Sequence, residues 1–319
     1  MISALSQGRA SWDAVGRRPL LMMRGWSRRR HGRVAAILGQ SLVTIAEGDT
    51  GEPGMRRLHL FEFTDLPWYP QTLRRIQTDY LQFVATRGSG QTGLVPLLVK
   101  AMQHAGTTEI VDLCSGGAGP WRLLQRQLAD AGRHVSIKLT DKYPHPDALC
   151  QWVATSHPGV VYVPESVDAL DVPPSLKGMR TLFEGFHHFA PADATSILRD
   201  AFERRVAIGI FEVRGPRPWG PALLALAPLS TLFGYLLLTP FVTPRSWSRL
   251  LWTYLIPVVP LATCWDGVVS LLRVYTPQDL EEMSGQLRAP DYAWEIGTVS
   301  TGTPIFEYVY LLGYPASSS

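Results

Sequence analysis

From residue 58 onward the chain alternates between short apolar runs and longer stretches in which apolar residues return every three or four positions. The longer stretches put their apolar side chains on one helical face, and short runs bounded by turn residues suit buried strands. Leu58-His59-Leu60-Phe61-Glu62-Phe63 leads through Asp65-Leu66-Pro67-Trp68-Tyr69-Pro70 into a helix predicted over 72–85, where Leu73, Ile76, Tyr80, Leu81, Phe83 and Val84 lie mostly at helical spacing. A second helix is expected over 92–104. Strands are then expected at 109–113, 135–140, 160–164, 180–183 and 206–213, with helices at 121–131, 146–156 and 192–204. That alternation predicts a parallel sheet with helices on both faces. A last helix over 277–287 and strands over 293–299 and 306–312 give the sheet an antiparallel edge.

Two segments break the pattern. Residues 1–54 hold Arg17, Arg18, Arg24, Arg28, Arg29, Arg30 and Arg33, few acids and no sustained apolar period. They read as a poorly ordered basic leader, with three explanations open: a basic arm for anionic surfaces, an organelle transit peptide, or sequence ahead of a true start at Met55. Residues 216–275 form a hydrophobic insert. No charged residue stands between Pro218 and Pro244, and a second apolar run covers 250–264. The first run has the length of a membrane span, yet Pro221, Pro228, Pro240 and Pro244 interrupt it, and Pro257 and Pro260 break the second, so two straight spanning helices are not expected. A hairpin dipping into one leaflet, a lid over a lipid-like substrate and a buried helix pair stay open. Arg245 and Arg249, between the runs, suit a membrane-surface turn or a solvent-exposed one. The domain boundaries follow: leader 1–54, helical cap 55–105, core 106–215, insert 216–275, and a closing helix with two strands over 276–319.

At 319 residues and 46% hydrophobic, the chain has material for one large α/β domain or two small ones, and disorder throughout is excluded. The formal charge of +3 is too small to call for a nucleic-acid partner. No asparagine occurs, which excludes N-glycosylation and, with the excess of arginine over lysine, suggests a GC-rich bacterial genome. Cys114, Cys150 and Cys264 are too few and scattered for a disulfide framework, which suits a reducing compartment. A cytoplasmic protein is expected, with peripheral or integral contact at the inner membrane through residues 218–264. The sequence leaves the oligomeric state open.

The sharpest local signal is Ile110-Val111-Asp112-Leu113-Cys114-Ser115-Gly116-Gly117-Ala118-Gly119-Pro120, a strand, an acid and a glycine-rich turn into a helix. Glycines let a ligand approach the backbone, and the helix start offers free N–H groups. As a dinucleotide fingerprint it fails in part, because Arg122 stands where the third glycine belongs. Asp112 would repel a phosphate but accept from an ammonium group. Asp141 closes the second strand roughly twenty residues after Gly119, the spacing at which a carboxylate reaches ribose hydroxyls. Asp168 follows the third strand, where it can accept from an exocyclic amine. Three acids at three successive strand ends describe a nucleoside with a cationic tail.

In these motifs and their order, over roughly residues 105–213 and 276–314, the chain resembles the class I S-adenosylmethionine-dependent methyltransferases. The resemblance implies a Rossmann-like, mostly parallel seven-stranded sheet, an N-terminal helical lid and S-adenosyl-L-methionine as cofactor. Asp112, Cys114, Ser115, Gly116, Gly117 and Gly119 would then hold the methionine part, Asp141 the ribose, and Val167 with Asp168 the adenine; Lys142 and Glu184 complete the expected cofactor set.

Chemistry is expected where the fourth strand ends, at Glu184-Gly185-Phe186-His187-His188-Phe189, because open α/β sheets expose these ends to ligand. His187 or His188 is a candidate to take a proton from a hydroxyl or amine acceptor, or else caps the next helix. Glu212, at the end of the fifth strand, is a candidate base or a partner of Arg214. Asp65, Trp68 and Tyr69 are placed in the lid, and Asp266 is expected to pair with Arg273 or to meet the substrate. No metal is expected, since neighbouring histidines point apart and the sequence shows no third ligand. The reading is methyl transfer to a small or lipophilic acceptor at a membrane surface; a non-catalytic scaffold that uses the insert to bind a membrane or a protein is the alternative.

Overall fold

The computed structural model describes residues 57–86, 91, 93–144, 159–214, 220–243, 245–301 and 306–316. The leader and the helix expected over 146–156 lie outside the described residues, as does Cys150.

Seven strands form one sheet: β1 Glu109–Leu113, β2 Ser136–Asp141, β3 Val160–Ser166, β4 Met179–Phe183, β5 Ile208–Arg214, β6 Tyr292–Ser300 and β7 Glu307–Pro315. Their order is β3-β2-β1-β4-β5-β7-β6. The first five are parallel, and β7 runs antiparallel to both β5 and β6. This is the mostly parallel α/β fold that the alternation predicts. The β6–β7 hairpin does not simply add an edge, because β7 inserts between β5 and β6.

Successive residues of a strand face opposite sides, and the two layers of core follow from that. Ile110, Ile137, Met179 and Phe211 face α2 (Leu94–Ala105) and α3 (Trp121–Asp130), where Leu98 and Trp121 are fully buried. Val111, Leu182, Ile208 and Ile210 face α4 (Pro191–Glu203) and α7 (Pro277–Gly285). Proline at the first helical position starts α4 and α7, and Thr276 with Asp279 closes a capping box on α7. The helix expected at 92–104 covers the sheet as α2, so within 55–105 the cap proper is residues 57–86.

A third core stands above the carboxyl ends of the strands. It joins α1 (Gln71–Ala85) to the insert, which folds as α5 (Gly220–Leu238), a short helix with a π turn over Trp247–Leu255, and α6 (Val258–Arg273). Tyr69, Leu73, Ile76 and Tyr80 pack against Tyr235, Val242, Val259 and Ala262. Arg249, read from sequence as a surface turn residue, is buried in an ion pair with Asp79 of α1. With its guanidinium taken up there, Arg249 marks no membrane surface. No single helix among the described residues is long and apolar enough to cross a membrane; Trp247–Leu255 and Val258–Arg273, meeting at 76°, together have the length and composition of a broken span.

Candidate active site

The glycine loop after β1 is held by side chains from three neighbouring elements. Asp112 is buried and accepts hydrogen bonds from Ser115 Oγ at 2.6 Å and from Thr181 Oγ1 of β4 at 2.6 Å. Burial pushes its carboxyl up to about 6 against those bonds. Asp141 Oδ2 accepts from Gly116 N–H at 2.8 Å and Oδ1 from Tyr143 N–H at 2.7 Å. Each carboxylate oxygen has two lone pairs, so Asp141 retains acceptor capacity at the open end of β2. Asp168 Oδ2 lies 2.7 Å from Lys142 Nζ, and Oδ1 accepts from Leu170 N–H. Burial opposes its charge, but the lysine prevails and lowers its pKa. Val167 is buried beside it, and its N–H donates to the Asp141 carbonyl at 3.0 Å.

The cap closes over this loop. A Cβ at Gly117 would stand 2.9 Å from Gln82 Cβ of α1, and Gln82 Nε2 donates to the Gly119 carbonyl at 3.1 Å. Cys114 (φ 56°), Ala118 (φ 79°) and Glu184 (φ 52°) all adopt left-handed backbone at this edge. A Cβ at Gly185 would meet Cys114 Cβ at 3.0 Å, so the loops after β1 and β4 press together. Glu184 Oε1 accepts from Val213 N–H at 2.8 Å, and the side chain stays on the exposed side.

Beyond Gly185, a 3₁₀ turn over Phe186–His188 presents the histidine pair. Glu212 of β5 is buried and accepts from His187 Nδ1 at 2.5 Å and from Phe186 N–H at 2.6 Å. Burial works against its charge, but the imidazole and the N–H hold its pKa down. Glu212 thus pairs with His187, not Arg214. His188 Nδ1 lies 2.7 Å from Asp65 Oδ1 and 3.5 Å from Glu62 Oε2. Burial disfavours the imidazolium, yet Glu62 and Asp65 outweigh it and raise His188 to about 9. His188 is 28% exposed and His187 4%.

Two residues without a sequence signal for this place complete the cluster. Arg273, at the end of α6, lies 3.1 Å from Glu62 Oε1 and 2.7 Å from Asp65 Oδ2. Glu62 and Asp65 come from the segment that leads into α1, so cap, insert and sheet meet on one charge cluster. Asp266 accepts instead from Phe63 N–H at 2.7 Å and Gln77 Nε2 at 3.1 Å, so the expected Asp266–Arg273 pair is not formed. Burial raises Asp266 to about 7. Tyr69 is packed in the cap core, and Trp68 is exposed.

No protein-family model matches the chain. No curated protein matches it either. Among solved structures, the chain is similar to a mitomycin 7-O-methyltransferase, at 11% identity over 90% of this chain and 68% of that one, with a TM-score of 0.47. It is also similar to human N-acetylserotonin methyltransferase in complex with S-adenosylmethionine, at 12% identity over 92% of this chain and 69% of that one, TM-score 0.44. A Synechocystis magnesium protoporphyrin IX methyltransferase with bound S-adenosylhomocysteine shares 11% identity over 70% of this chain and 83% of that one, TM-score 0.36.

Proposed function

We propose that this protein is an S-adenosylmethionine-dependent methyltransferase that acts on a small or lipophilic acceptor at a membrane surface. The observation that carries the reading is the series of acids at the ends of β1, β2 and β3 around a glycine loop, with a histidine pair at the end of β4. Asp112 and the 114–119 loop would hold the methionine part, Asp141 the ribose, and Val167 with Asp168 and Lys142 the adenine, with Glu184 at the rim. The residues present fit that group. A side chain at Gly117 would strike α1, while Asp141 keeps free lone pairs facing the loop.

The bound cofactor supplies an electrophilic methyl group. The chain's residues then orient the acceptor and exclude water, and holding two reactants in line accounts for much of such a rate. Of His187, His188 and Glu212, only His188 reaches the open side, with Asp65 fixing its ring. At neutral pH it holds its proton, so it orients an acceptor oxygen by donating a hydrogen bond rather than by removing a proton. His187 and Glu212 are positioning residues behind it. α1, clasped to the loop through Gln82, is the wall that keeps water out.

Contact with a membrane is supported by the outer face of the insert, where Trp247 is 86% exposed, Leu255 76% and Leu237 69%. Apolar and aromatic side chains on one face are what an interfacial helix lays into a bilayer. Calorimetric titration of S-adenosylmethionine tests the cofactor assignment. Saturable binding supports methyl transfer; a folded chain that binds none points to the scaffold reading, with the insert as its binding surface.

A further inference from the structure

The charge cluster above β4 gathers ring nitrogens and carboxylate oxygens in a buried place. Glu212 accepts from His187 Nδ1, 2.5 Å away, which leaves Nε2 as the ring atom turned to Glu62. Nε2 faces Glu62 Oε1 across 3.8 Å, too far for a hydrogen bond, with His187 4% and Glu62 2% exposed. The remaining contacts orient Glu62. Oε1 accepts from Arg273 at 3.1 Å and Ser270 Oγ at 3.2 Å, and Oε2 is turned to His188 Nδ1 at 3.5 Å.

A cation between these atoms would join the three side chains. One ligand atom each from Glu62, His187 and His188 lies within 4.8 Å of the other two, and drawing them in to about 3.4 Å from one another would place all three at the roughly 2.0–2.2 Å of a tetrahedral ion. The 3₁₀ turn brings the adjacent rings to 4.4 Å between centroids at 30°, so they do not point apart as neighbours on a strand do. Glu62 arrives from the cap as the third donor that the sequence does not reveal. Around the three stand Glu212 on His187, Asp65 on His188, and Arg273 with Ser270 on Glu62, the outer hydrogen bonds that orient metal ligands. Glu62, Asp65 and Glu212 bring three carboxylates to the cluster against the guanidinium of Arg273, an excess of negative charge beside the two rings.

We propose that Glu62, His187 and His188 bind one divalent first-row transition ion such as Zn²⁺. Two imidazoles and one carboxylate suit such an ion and leave a position for an oxygen of the acceptor. His188 gives up its proton when it ligates, as any imidazole ligand does, so in the ion-loaded protein the ion takes over from the His188 N–H the hold on the acceptor oxygen. Ion binding does not depend on methyl transfer; only the use of the ion to hold the acceptor rests on the methyltransferase reading.

The test is titration of the full-length protein, stripped with EDTA, with Co²⁺ as a visible-absorption probe and Zn²⁺ as competitor. The expected result is a spectrum that saturates at one Co²⁺ per chain and is displaced by Zn²⁺. Glu62→Gln and His187→Gln are expected to weaken binding by about 100-fold, and Glu212→Gln by roughly 10- to 100-fold, the range for losing an orienting partner. His188→Gln, on the part-exposed side, serves if the buried variants do not fold, with circular dichroism as the check. A folded wild-type chain without a saturable Co²⁺ spectrum overturns the proposal, as does undiminished binding by folded ligand variants. S-adenosylmethionine binding is read separately: ion without cofactor overturns the methyltransferase reading, and cofactor without ion overturns this one.

Discussion

Single residues set the chemistry of the cleft through backbone strain and burial. Cys114, Ala118 and Glu184 are three of the four described non-glycine residues at positive φ, and all three lie at the cofactor edge. Such conformations cost of order 1–3 kcal/mol each and persist where the surroundings impose them. Gly178, at φ 128°, precedes β4, and a Cβ there would stand 2.6 Å from the Glu109 carbonyl. Gly178→Ala is expected to destabilise the fold by about 3 kcal/mol, read as a lowered melting temperature. Asp112 makes a prediction with pH. Its folded pKa, about 6, lies above the unfolded 3.8, so the fold favours the protonated form. Its contribution to stability is present below about pH 4 and is lost as pH rises to about 6, by about 3 kcal/mol in total. The stability difference between the wild type and Asp112→Asn should therefore change across that window; a pH-independent difference counts against the buried titration. The residues of the glycine loop and the three strand-end acids are legible in the sequence because they sit in one motif or at fixed spacing from it. The places of Glu62 and Arg273 are not, since only tertiary packing brings the cap, the insert and the β4 turn together.

Among the elements, cap and insert form a single structural unit. Tyr235 is fully buried, packs on Tyr80 with 4.0 Å between ring centroids, and donates to the Ile76 carbonyl at 3.1 Å. Arg249 crosses from the insert to Asp79 and also donates to the Val242 carbonyl at 2.9 Å. Removing one partner of a buried pair leaves an uncompensated charge, so Asp79→Ala is expected to cost about 3–5 kcal/mol in denaturant unfolding. Asp79→Leu combined with Arg249→Met should recover most of that loss; a double variant as unstable as the single one would show that the pair is needed for more than charge balance. The strands and most helices are legible because their apolar periods are distinct. The insert is not, because residues 218–244 are apolar on all sides and no period marks the face that packs. Its prolines guide only in part: α6 begins just after Pro257, but α5 runs on through Pro228.

For the whole molecule, the sheet order places every candidate site residue on one edge, the carboxyl ends of the parallel strands, and the cap and insert cover that edge. The outer face of the insert remains apolar and exposed at Phe233, Leu237, Phe241, Trp247 and Leu255. The protein is expected to sediment with lipid vesicles, and Leu237→Ser, Trp247→Ser and Leu255→Ser together should leave it in the supernatant with its melting temperature unchanged. Wild-type protein that stays in the supernatant at every lipid composition contradicts the membrane reading. The fold class is legible from the alternation of elements alone, and the insertion of β7 beside β5 is not, because hairpin placement depends on which edge is free. Calorimetric titration of S-adenosylmethionine into the wild-type protein and Asp141→Ala tests the central claim most directly. One saturable site in the wild type, weakened by about 100-fold or more in a folded Asp141→Ala through loss of charge-assisted hydrogen bonds, is the predicted result; no binding by the folded wild type, or equal binding by the variant, would contradict it.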